Sequence, residues 1–371
     1  MLDFQELTKF HSPGYVINVF CDGEEKEFVY GYRETRPQQL KCDSSTLYDI
    51  ASLTKVYTAT LIYIAQEEKK LSVYDFVTDI DTRFSQLSQV RILDLLSHNQ
   101  DIWTDGYLGN AHSKEEFYQI LFSAYVKGTF PTYVDTHYII LSTLLETIYH
   151  QSFDKILEEK ILNPLGLFHT TVYPSGNNIA SNNYETLNGS VVDSNTRGQI
   201  HDTKARVAKS FGVTTGHASI FTTGHDLLLF LQSFLNCKLL SKETISFMLK
   251  HDNRNQKNYD ILKKVVSNET DINKMYEIAC KQDASFRAMR TYNYMGTRYR
   301  NDILQLNDVP LICSDETIVF SGFTGPSFLI DFKENVIIVV LCNVMHNTKL
   351  NRTERKKITE NIIEEICKKI Y

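Results

Sequence analysis

The chain has 371 residues, 42% hydrophobic and 23% charged, with a formal net charge of −6 at pH 7. That length supports a large core, in one big domain or two interleaved ones, and the composition is that of an ordinary folded protein. The acidic balance argues against a dedicated nucleic-acid surface, and no apolar run approaches the ~20 residues a membrane helix needs.

Seven cysteines are scattered without a CxxC pair, which points to reduced thiols and not to a disulfide framework or a zinc site. The first ten residues, MLDFQELTKF, combine neither a basic region nor an apolar run, so no signal peptide and a cytoplasmic location are expected. A short amphipathic helix is expected over 3–10. Two strands follow, 14–21 and 25–32, joined by an Asp22-Gly23 turn of the kind that favours hairpins. A helix over 52–69 comes next, then a mostly helical middle over 84–168 with helical spacing at 91–97, 113–126 and 138–149.

Residues 174–200 are rich in Asn, Ser and Gly and read as a loop. A helix is expected over 225–236, and the charged stretch 251–290 reads as an insertion of modest helices. The end is strand-rich, at 316–320, 326–332 and 336–342. A final helix over 354–371 places Ile358, Ile362, Ile366 and Ile370 on one stripe, and Arg355–Lys357 on a solvated face. Strands at both chain ends with helices between them predict an α+β fold. One antiparallel sheet is built from both ends and flanked by helices, with an inserted, mostly helical subdomain. A single domain over 1–371 is expected, with the α/β part at about 1–75 and 205–371 and the helical subdomain at about 76–204.

The stretch IASLTK over 50–55 sets a serine, Ser52, three residues before a lysine, Lys55, at a helix start. One turn apart they share a helix face, and a lysine in a partly desolvated site can take a serine's proton. A capping serine beside an unrelated lysine would look the same. The bare S-x-x-K pattern is weak, because Ser152 and Lys155 repeat it inside a helical pattern with nothing reactive nearby.

The surroundings of the first copy resemble the serine β-lactamase and penicillin-binding-protein superfamily, especially its class C-like branch of esterases and D-amino-acid peptidases. IASLTK looks like that family's nucleophile helix, and VRILDLLSH over 90–98 like its LL-T-H segment. YVDTHYIILS over 133–142 is similar to its Tyr-x-Asn or Tyr-x-Asp element. NPLGL over 163–167, GQIHD over 198–202, TGHASIFTT over 215–223 and FSGFTGPS over 320–327 follow in the family's order.

The resemblance implies a covalent acyl-enzyme on Ser52, with Lys55 and Tyr133 moving the proton. The main-chain N–H groups of Ser52 and Phe323 would form an oxyanion hole. It implies no cofactor and no metal, and the spacings of His98, His201, Asp202 and His217 match no ligand pattern. The partner it implies is a small-molecule or short-peptide acyl substrate, with neither nucleic acid nor membrane. His217 reads as a supporting residue of the GHA turn, and the single Trp103 as part of a loop near the cleft mouth, contacting substrate or plugging an apolar gap.

Two positions depart from the family pattern. Asp135 replaces the usual Asn; it either holds Lys55 as an ammonium, leaving more of the proton transfer to Tyr133, or caps the following helix. Phe320 replaces the Lys or His that binds a substrate carboxylate, which disfavours β-lactams and points to uncharged esters or acyl chains, with Phe320 as an apolar wall. Ser321 and Gly322 keep the rest of that strand motif. A silent binding protein and an acyltransferase remain as alternatives to a hydrolase.

Overall fold

In the computed structural model the main sheet has seven strands: β1 (Gly14–Cys21), β2 (Glu24–Glu34), β3 (Leu40–Lys41), β4 (Arg298–Tyr299), β5 (Thr317–Ser321), β6 (Ser327–Asp331) and β7 (Val336–Cys342). The structure describes residues 12–346 and 352–371 except 37, 129–131, 183–184, 188–189, 193–196, 252–253, 283–291 and 300–308. The helix expected over 3–10 lies outside these residues, as do the side chains of Arg355–Lys357.

The strands run antiparallel in the order β4-β5-β6-β7-β1-β2-β3. The two chain ends therefore meet in the middle, with Tyr15 opposite Cys342 and Phe20 opposite Ile337. Asp22 and Gly23 turn the first hairpin with φ of 54° and 78°, the left-handed pair a two-residue turn needs.

Both faces of the central strands are covered, which is why β7 reads as a continuous apolar run instead of alternating with polar residues. Ile337, Val339 and Leu341 join the large core on one face, and Val336, Ile338, Val340 and Cys342 join a second core on the other. The helices that matter below are α1 (Thr54–Glu67), α2 (Thr136–Tyr149), α3 (Thr203–Ser210), α4 (Gly224–Leu235), α5 (Arg254–Val265), α6 (Ile272–Gln282) and α7 (Arg352–Ile370). Helices α1 and α4 contribute to the large core. The α7 stripe Ile358, Ile362 and Ile366 closes the second, with Ile370 packed at its margin.

Three local expectations change. The helix expected over 113–126 stops at Phe122, and Tyr125–Gly128 pairs instead with Asp101–Trp103 as a two-stranded ribbon. Ser123 ends the helix by turning its hydroxyl back to the Ile120 carbonyl, and the β-favouring Tyr125 and Val126 follow. Trp103 consequently lies on a strand and not in a loop. The polar stretch 174–200 contains a small hairpin, Glu185–Leu187 with Ser190–Val192. Finally, the helix expected from residue 52 opens as a 3₁₀ turn over Ala51–Leu53 and becomes α-helical only at Thr54.

Candidate active site

Ser52 sits in that 3₁₀ turn, behind Ala51 in the left-handed region at φ 45°. Neither the turn nor α1 has a side-chain cap hydrogen bond, so the Ser52 hydroxyl is not used as a cap. It receives two other contacts. Lys55 Nζ donates to Ser52 Oγ at 3.0 Å and the Tyr133 hydroxyl donates to the same oxygen at 2.9 Å.

Lys55 is 1% exposed. Its other protons go to Asp135 Oδ1 at 2.8 Å and the His217 carbonyl at 3.3 Å, so each of its three donors has an acceptor. Tyr133 is held by ring contacts with His98 and Tyr292, at centroid separations of 4.4 and 5.4 Å. The His98 ring in turn meets His137, Nδ1 to Nδ1 at 2.9 Å, and burial pushes the His137 imidazole down to about 3, so it is neutral at ordinary pH.

Asp135 stands at the N-terminus of α2 without a side-chain cap hydrogen bond. Its carboxylate is shared by two lysines: Oδ1 takes Lys55, and Oδ2 takes Lys204 at 2.9 Å. Lys204 also reaches Asp202 Oδ2 at 3.2 Å, and Asp202 Oδ1 meets His217 Nε2 at 2.9 Å. The result is a chain of alternating charge running Lys55, Asp135, Lys204, Asp202 and ending at His217.

Burial alone would raise the Asp135 carboxyl, but Lys55, His217 and Lys204 outweigh it and hold it well below the usual carboxylate range. Burial would likewise lower Lys55, and Asp135, followed by Tyr133, drives it above the ordinary lysine value instead. Lys55 is therefore an ammonium at neutral pH.

Sequence reasoning missed Lys204. A signal was present: Asp202 caps α3, accepting from Ala205 N at 2.9 Å, and a cation in the first turn of a helix opposes the helix dipole. Such a lysine needs a local anion, and here it has two. Asp135, Asp202 and His217 bring potential metal-ligand atoms within 4.8 Å of one another. Lys55 and Lys204 already place two ammonium groups on the carboxylates of that cluster, a charge arrangement that opposes a metal ion.

The end of β5 closes over the serine turn. A Cβ on Gly322 would lie 2.6 Å from the Ile50 carbonyl oxygen and 3.3 Å from Ala51 Cβ, so only glycine lets the strand end approach this closely. Thr324 Oγ1 donates to the Asp49 carbonyl at 2.7 Å, fixing the loop that carries Phe323 beside the turn. The Phe323 ring stacks on His201. Ser321 is partly exposed at the strand end.

Phe320, the position that departs most from the family pattern, is 1% exposed and packed in the large core, leaving almost no ring surface to form an apolar wall. Trp103 is 47% exposed, so it plugs no gap. Its indole N–H donates to Asp101 Oδ1 at 2.8 Å, and the Lys127 ammonium sits 3.8 Å from its ring centre. Among the described contacts, none joins Trp103 to the Ser52 cluster.

The comparisons agree with this architecture. The beta-lactamase family model matches residues 4–361. The chain belongs to the beta-lactamase family. A protein of Escherichia coli O157:H7 provisionally named D-alanyl-D-alanine carboxypeptidase is 26% identical over 348 residues, covering 84% of this chain and 72% of that one. A Salmonella enteritidis protein of the same provisional name is 25% identical over 354 residues, with the same coverage. The solved structure of EstCE1, a hydrolase with promiscuous acyltransferase activity, superposes at TM-score 0.69 with 17% identity, covering 97% of this chain and 96% of that one. A class C beta-lactamase in complex with cefoxitin superposes at TM-score 0.65 with 16% identity, covering 98% and 95%. At these identities the structural neighbours speak to the fold alone, which is beta-lactamase-like. No described helix is long and apolar enough to cross a membrane.

Proposed function

We propose that this chain is a serine hydrolase that forms an acyl-enzyme on Ser52 and cleaves an ester, amide or D-amino-acid peptide. The observation that carries this reading is the pair of hydrogen bonds converging on Ser52 Oγ from Lys55 and Tyr133, at 3.0 and 2.9 Å. Ser52 Oγ attacks the acyl carbon while its proton passes to the Tyr133 oxygen and Tyr133 gives up its own phenolic proton towards the leaving group. Lys55, fixed as an ammonium by Asp135, stabilises the negative charge that develops on the two oxygens. The acyl–leaving-group bond breaks as the leaving group takes the Tyr133 proton, and in deacylation water gives a proton to the Tyr133 oxygen while Tyr133 protonates Ser52 Oγ and frees the serine. The main-chain N–H groups of Ser52 and Phe323 would receive the oxyanion, with Gly322 and Thr324 keeping that loop in place.

The carboxypeptidase-like names of the curated relatives favour a small acyl or peptide substrate. Phe320, a buried ring where the family pattern has a cation, favours substrates that bring no carboxylate to that point, and weak or absent β-lactamase activity. The acyltransferase activity of EstCE1 makes acyl transfer to a small-molecule acceptor the second reading, which uses the same residues with a final nucleophile other than water.

The test is intact-protein mass and turnover after exposure to a fluorescent penicillin and, separately, a p-nitrophenyl ester. The expected outcome is ester turnover or an acyl adduct that disappears in Ser52→Ala, with little or no penicillin adduct. Ester turnover that survives in Ser52→Ala would remove Ser52 from the chemistry.

A further inference from the structure

The turn that presents Ser52 is governed by a buried carboxylate that the proposed mechanism does not use. Asp49 is 3% exposed, and its backbone pairs with Phe221 in a short two-stranded ribbon. Its Oδ1 accepts from Ala51 N at 2.8 Å. Its Oδ2 accepts from His201 N at 2.8 Å and from Asn182 Nδ2 at 2.9 Å. Its carbonyl takes the Thr324 hydroxyl at 2.7 Å.

Four tethers from separate parts of the chain thus end on one residue three positions before Ser52. Ala51, which one of them holds, carries a Cβ at φ 45°. A residue in that region is strained and stays there only when its surroundings over-determine it. Asp49 supplies that constraint.

We propose that Asp49 is a positioning residue for the chemistry of Ser52: its carboxylate locks the strained Ala51 turn that aims the serine and ties it to the loop carrying His201 and Asp202, while its carbonyl holds the Phe323 loop alongside. The inference rests on the reading of Ser52 as the nucleophile. Three N–H donors match the ionised carboxylate and leave a protonated one with a clash of hydrogens, so the lock holds best when Asp49 is charged.

The groups facing it oppose that charge. Burial pushes Asp49 up to about 7, the three hydrogen bonds pull the other way, and the Asp202 carboxylate on the adjoining loop adds to the rise. The His201 imidazole lies on the same loop, and no ion pair to Asp49 is present among the described residues. Working pH then sets how much of the protein has its serine turn locked.

The experiment is the pH profile of kcat and KM between about pH 5 and 9 for p-nitrophenyl acetate, read at the isosbestic wavelength, with a melting curve at each pH. It is run on the wild type, Asp49→Asn and Asn182→Ala. Asp49→Asn keeps the shape but offers one acceptor oxygen where two are needed. The expected result is a kcat lower by about 10- to 100-fold with KM within about twofold, and loss of the acidic limb near neutral pH.

Asn182→Ala withdraws one donor from the carboxylate without touching the turn. It is expected to keep its fold and to move the acidic limb to higher pH, because the ionised form has lost a hydrogen bond. Should Asp49→Asn fail to fold, the Asn182→Ala limb decides alone. An unmoved limb in the folded variants overturns the proposal, and a fall in both kcat and melting temperature with an unmoved limb marks Asp49 as ordinary packing. Loss of all turnover in Ser52→Ala is scored separately, so failure of the nucleophile reading and failure of the Asp49 role give different patterns.

Discussion

Lys55 tolerates its burial because three protons meet three acceptors and the first of these is a carboxylate. Asp135 carries more of the local charge than the asparagine usual at its position could, since one oxygen serves Lys55 and the other Lys204. Asp135→Asn leaves both ammonium groups without an anion between them. It is expected to cost about 2–4 kcal/mol at pH 7, somewhat below a fully buried pair because Asp135 is 25% exposed. The sign with pH follows from the depressed Asp135 value: its stabilisation is present above the unfolded carboxyl value of about 4 and is lost as pH falls through the folded one. Urea unfolding of wild type and variant should therefore show the full gap at pH 7 and a shrinking one below about pH 4. A gap independent of pH would assign the loss to packing.

At the scale of elements, the site depends on how closely α1 and α2 approach the turn around Gly216. A Cβ there would stand 2.6 Å from Thr58 Oγ1, 2.8 Å from Ser142 Cβ and 2.9 Å from the Tyr138 carbonyl oxygen. Two hydrogen bonds tie the same turn to both helices, Thr58 Oγ1 to the Gly216 carbonyl at 2.7 Å and Gly216 N to Ser142 Oγ at 3.0 Å. The next residue, His217, gives Lys55 its third acceptor, so the packing reaches the site directly. Gly216→Ala is expected to destabilise by about 1–3 kcal/mol through overpacking and to lower ester turnover with it. Denaturation and initial rates on the same preparation would check both; an unchanged midpoint would mean the helices can part without cost. Elements with a strong period or a clear turn signal, such as α2, α7 and the Asp22-Gly23 hairpin, were legible in the sequence. The ribbon of Asp101–Trp103 with Tyr125–Gly128 was not, because its pairing partner lies across a helix and short apolar stretches carry no decisive period.

At the scale of the molecule, α5 with the residue that follows it, and α6, bury Leu262, Val266, Met275 and Ala279 against one another in a cluster separate from both main cores. The β7 strand is covered on both faces. Amide exchange should follow that division, with Val336–Cys342 opening only on global unfolding and residues 254–282 exchanging earlier by local opening. Equal protection of the two segments would show that the helical pair is coupled to the cores after all.

The sequence by itself determined the sheet-forming ends, the apolar stripe of α7, the family and the candidate trio of Ser52, Lys55 and Tyr133. These follow from local propensity, period and ordered motifs, which are written along the chain. Only the tertiary structure decided that Asp135 binds Lys55 instead of capping α2, that Phe320 is buried, that Lys204 extends the charge chain and that Asp49 holds the serine turn. Asp135 meets Lys55 across 80 positions and the Asp49 carbonyl meets Thr324 across 275, and no local pattern encodes which side chains a buried charge will find.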